Sequence, residues 1–147
     1  MPIVGFNFNK VYVEKKETQE EAKNIQIKND VLITNVQEEK LPTGKTKADG
    51  LKFDFKFHLK YEPELGEIEL IGFIYYLDDP EVIKDIFKSW KKDKKIPKEI
   101  TSSLVNAVLV KGTIKALALA QEVNLPPHLP LPTVNPKSSP ESYIGWF

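Results

Sequence analysis

The chain holds two histidines, His58 and His128, 21 acidic side chains and no cysteine, so acid–base or metal chemistry would have to be built from these. Metal ligation by histidine needs a second ligand at short spacing. Neither histidine has a carboxylate at such a spacing. The missing cysteines exclude disulfides, a thiolate nucleophile and a cysteine-ligated zinc. The serines and acids form no nucleophile elbow and no paired-carboxylate pattern, and no glycine loop could hold a cofactor. Residues 43–46, TGKT, contain the end of a phosphate loop. Glu39 occupies the place of its first glycine and no helix signal follows, so this stretch reads as a surface turn. The expectation is a protein that is not an enzyme and has no cofactor and no metal.

What remains is binding chemistry. The 21 basic residues balance the acidic ones, and all of them are lysine. Arginine's flat donor fork is the usual reader of guanine and phosphate, so its absence argues against specific nucleic-acid recognition. The lysines at 91, 92, 94, 95 and 98 read as the solvated end of a helix, where cations favour the dipole. The aromatic side chains Phe6, Phe8, Phe53, Phe55, Phe57, Tyr75 and Tyr76 fall largely in alternating positions. They fit a core, or alternatively a groove that takes up extended polypeptide.

The elements that would position these residues are marked by periodicity. Residues 51–61, LKFDFKFHLKY, alternate apolar and polar without a break, the pattern of a strand with one greasy and one wet face. Residues 66–77 begin with alternation and become apolar on both faces from Leu70, which requires cover on both sides or a subunit interface. The turn residues between the two make a hairpin. Upstream, residues 4–13 change phase near Asn9–Lys10, which suggests a bulge. Residues 24–36 form a weaker strand, and 37–49 read as a lysine-rich mobile loop. Asp79 and Pro80 open an amphipathic helix as N-cap and first helical residue. A second helix over 97–123 is apolar around most of its circumference, so one sheet cannot cover it. Lys111 and Lys115 interrupt it too often for an ordinary membrane span.

After that helix comes NLPPHLPLPTVNP, residues 124–136. Four strands, a short helix, a long helix and a proline-punctuated apolar segment follow one another in an order that resembles the SecB family of export chaperones. The family's segment has the form P-x-L-x-L-x-P-V-N. Pro127, Leu129, Leu131, Val134 and Asn135 match it in register, with Thr133 where the family has proline. Residues 4–15, VGFNFNKVYVEK, are also similar to the family's opening strand. The resemblance implies one domain over 1–136 with a tail at 137–147, and a dimer of dimers. It also implies that Leu129, Leu131 and Val134 pack along the domain.

The expected fold is α+β: a four-stranded antiparallel sheet with two helices packed on one side. The expected function is a cytoplasmic, chaperone-like (holdase) binding protein for exposed hydrophobic segments of unfolded or partner polypeptides. Its peptide-binding candidates are the seven aromatics above. The alternative is a structural subunit whose apolar surfaces are consumed in self-assembly or by one permanent partner. Either reading implies a homo-oligomer, dimer or tetramer, without membrane or specific nucleic acid.

Overall fold

The computed structural model describes residues 3–16, 25–44, 46–130 and 132. Strands β1 (Ile3–Lys15), β2 (Gln26–Thr43), β3 (Thr46–Glu62) and β4 (Gly66–Leu77) precede helices α1 (Pro80–Asp93) and α2 (Lys98–Glu122). The architecture is α+β. The sheet is wholly antiparallel in the order β1-β4-β3-β2. Strands β2, β3 and β4 follow one another through hairpins and β1 lies beside β4, a Greek-key arrangement.

Alternation sorts the sheet into two faces. On the inner face Leu51, Phe53, Phe55, Phe57, Leu59 and Tyr61 of β3 are wholly buried, next to Ile68, Leu70 and Ile74 of β4. Both helices pack on this face, α1 through Ile83, Ile86 and Trp90, α2 through Leu104, Val108, Gly112, Ala116 and Ala120. The α2 contacts recur every fourth residue, as one helical stripe requires. Gly112 brings the helix down onto the sheet: a Cβ there would lie 2.7 Å from Phe57 Cδ2.

The phase change in β1 is a bulge, with the register to β4 shifting between Phe8 and Lys10. It re-phases the strand, so Phe6, Phe8, Val11 and Val13 all pair with inner-face positions of β4.

Two expectations are corrected. Residues 37–49 are not a loop. β2 and β3 stay paired up to Thr43 and Thr46, with Gly44 at φ 70° in the turn. An exposed edge strand is held by backbone bonding to its neighbour, which needs no apolar pattern. Secondly, α2 is long and apolar enough by composition to cross a membrane, despite its lysines. Here its Leu104–Ala120 stripe is buried on the sheet instead.

The helix ends follow local rules. Pro80 opens α1, but the Asp79 side chain makes no capping bond; the Asp78 carboxylate accepts from the Asp79 N–H at 2.8 Å. α2 closes with Asn124 in the left-handed region (φ 58°), its N–H bonded to Gln121 O. The Leu125 N–H bonds Ala120 O at 2.8 Å, and the Leu125 side chain is buried. This is the Schellman closure, with its apolar contact after the turn.

Candidate binding surfaces

The seven aromatic candidates do not form one row. Phe53, Phe55 and Phe57 are inaccessible and Tyr76 is 3% exposed, all beneath the helices. They are core in this chain, because α1 and α2 cover the middle strands of the inner face. Tyr75, the neighbour of Tyr76, points to the opposite face by strand alternation. Only Phe6 and Phe8, on edge strand β1, stay half-buried on the inner face.

Phe6 and Phe8 stand on the buried Phe55. The Phe6 ring lies 5.0 Å from Phe55 and 5.2 Å from Phe8, the latter edge-on, and Phe8 lies 6.0 Å from Phe55. Such offset and edge-to-face contacts are the favoured aromatic geometry. The Nζ of Lys111 on α2 is 5.3 Å from the Phe6 centroid. Val11, further along the same column, is 43% exposed. The result is a half-open aromatic floor between α2 and an edge strand whose outer backbone groups have no strand partner.

The outer face divides into two halves. At the β3–β4 hairpin end it is a lattice of charge. Glu69 accepts from Lys10 at 2.9 Å and pairs with Lys56 at 3.1 Å, which holds its carboxyl below the usual range. His58 lies 3.0 Å from Glu67, and Lys28 lies 3.4 Å from Glu62. The Tyr12 hydroxyl is pushed up to about 12, mainly because it donates to the Glu14 carboxylate. The other half is apolar: Phe73 and Tyr75 are 4.9 Å apart, Lys52 Nζ lies 4.6 Å from Phe73, and Leu32 is 58% exposed.

His58–Glu67 is an ion pair without a nucleophile beside it. Among the described residues no group of three or more metal-ligating side chains converges. Two lysines of the expected solvated run lie over aromatic rings of their own helix, Lys91 over Phe87 and Lys94 over Trp90. Such contacts are modest at exposed sites.

The proline-rich segment starts as an ordered part of the domain. Tyr61 donates its hydroxyl to Pro126 O at 2.8 Å, and burial raises its pKa. The His128 ring stands edge-on to Phe57 at 6.5 Å. Both its nitrogens are buried without a partner among the described residues, and desolvation lowers its pKa. The packing residues are therefore Leu125 and His128. Leu129, expected to pack, is 45% exposed. Leu131, Val134 and the 137–147 tail lie outside the described residues. The signal for Leu125 was present in the sequence, as asparagine followed by leucine at a helix end. The signal for Lys111 was not, because its ring partner is over a hundred residues away.

α2 leaves a second apolar strip open. Val110 and Ile114, opposite its buried stripe, are 62% and 66% exposed. No protein-family model, no curated protein and no solved structure matches this chain.

Proposed function

We propose that this chain is a non-enzymatic, SecB-like binding protein of the cytoplasm that holds exposed hydrophobic segments of unfolded or partner polypeptides. One observation carries the reading: the half-open floor of Phe6, Phe8 and Phe55 beside the free edge of β1. An extended segment laid along β1 gains main-chain hydrogen bonds from the edge and side-chain burial on the rings. Neither interaction reads a particular sequence, as a holdase requires. The order of elements and the proline-punctuated segment support the family likeness.

The test is suppression of aggregation of an unfolded test protein at stoichiometric ratio. Replacing Phe6 and Phe8 with serine should abolish it, while Leu32→Ser on the outer face should leave it intact. Failure of the unaltered protein to slow aggregation at any salt concentration would remove the holdase reading.

The structural-subunit reading is favoured by a different observation, the exposed Val110–Ile114 strip of α2. Apolar side chains opposite an already buried stripe suit a helix with partners on two sides. Light scattering at micromolar concentration should return a dimer or tetramer, and Val110→Glu with Ile114→Glu should reduce it to monomer. A monomer mass for the unaltered chain, near the 16.8 kDa of one copy, excludes self-assembly.

A further inference from the structure

We infer that the groove between β1 and α2 selects extended apolar segments that carry carboxylates in alternation with their apolar residues. The inference rests on the capture reading above and names the class of segment the same groove takes.

The floor is aromatic and uncharged, with Phe6 and Phe8 on Phe55. The wall is cationic. Lys111 reaches over Phe6, and Lys115 follows four residues later on the same side of α2. Neither lysine has a carboxylate partner among the described residues, unlike Lys10, Lys28, Lys56 and Lys60 on the strands. Both are exposed, so their ammonium groups are hydrated and free to move. The inner column of β1 up to Val13 is Ile3, Phe6, Phe8, Val11 and Val13, with no acid among them.

Spacing then sets the pattern. Four residues of helix rise about 6 Å. Two residues of an extended chain span about 6.6 Å. A segment on this floor presents one phase of side chains to the rings and the other phase upward. Carboxylates at consecutive positions of the upper phase therefore meet Lys111 and Lys115 together. A segment with lysine in those positions would bring like charges together. Ring burial holds every apolar segment, and the lysines rank them.

The experiment measures binding of three labelled peptides by fluorescence anisotropy on the full chain. Each alternates phenylalanine or leucine with one other residue: glutamate, serine or lysine. At about 0.01 M salt, where screening is weak, the glutamate peptide should bind about tenfold tighter than the serine peptide, and the lysine peptide weakest. At about 1 M salt the three should converge while binding persists, because only the ranking is electrostatic. Lys111→Glu with Lys115→Glu, both surface changes, should invert the order.

Equal binding of all three at low salt, or a preference for lysine, overturns the inference and leaves the capture reading standing. No binding of any peptide removes the capture reading and the inference together. Sedimentation in the presence of the glutamate peptide should be unchanged. If the peptide splits an oligomer into monomers, the groove's occupant is a second copy of this chain and the inference is overturned.

Discussion

Strand β2, at one edge of the sheet, carries Lys28, Asp30, Glu38, Glu39, Lys40 and Pro42 along its 18 residues. Strand β1, at the other edge, has no charged residue before Lys10 and shows half-buried phenylalanines on its inner face. Charges and proline are the ordinary means by which an edge resists pairing with another chain. β2 has both; β1 relies on its bulge beyond Phe8. β2 is also tied to β3 through a hairpin that is paired to its tip, whereas β1 is held only by β4 and by ring contacts on Phe55. The contrast assigns association to one side of the molecule and stability to the other.

The sharpest way to break this contrast is Phe55→Ala. The residue is fully buried and bears both β1 phenylalanines, so its loss should cost about 3–5 kcal/mol in denaturant unfolding. Amide exchange should accelerate in β1 first, with β2 and β3 keeping their protection. Equal loss along both edges would show that Phe55 supports the whole sheet and that β1 has no separate weakness.

Leu125→Ala should act on both edges alike. Its side chain lies on Gly66 at the start of β4, the hairpin end where Lys15 of β1 pairs. Truncating a buried leucine costs about 2–5 kcal/mol. The same change at the 45% exposed Leu129 should stay within about 0.5 kcal/mol. Comparable effects from the two leucines would mean that the segment is held by more than its first residues.

Acid should give the smallest effect, and on the opposite edge. His128 packs on Phe57, which pairs with Val31 of β2. Burial lowers its pKa, so the unfolded chain takes up this proton first. The contribution is nil well above the ordinary histidine value of about 6.5, and stability declines as pH falls through that value towards the folded pKa. Unfolding midpoints followed across that window should decline less in His128→Leu. A decline that survives unchanged in the variant would place its origin elsewhere.

The elements were legible where one interaction dominates. The alternation of 51–61 is a burial pattern, and the turn residues after it left one pairing open. The phase change near Asn9 marked the bulge for the same reason. The second half of the β2–β3 hairpin was not legible, since Gln37, Glu38, Glu39 and Lys40 carry no burial signal and are held by main-chain bonds to β3. The candidate site was legible only as a set of aromatics. Tyr75 and Tyr76 are adjacent letters and lie on opposite faces; one is near the core rings and the other beside exposed Leu32 and Phe73.

By itself the sequence determined what is local: which stretches alternate, where helices start and stop, and which chemistries lack their residues. Period-two spacing separates two faces of a strand but does not say which face receives the helices. That was decided by packing, when Gly112, Ala116 and Ala120 let α2 lie close on Phe57 and closed the aromatic row there. Only the assembled sheet put β1 at an edge beyond the full cover of α2, leaving Phe6 and Phe8 open. Only the fold brought Lys111 to Phe6, because contact between residues so distant in sequence depends on every element between them.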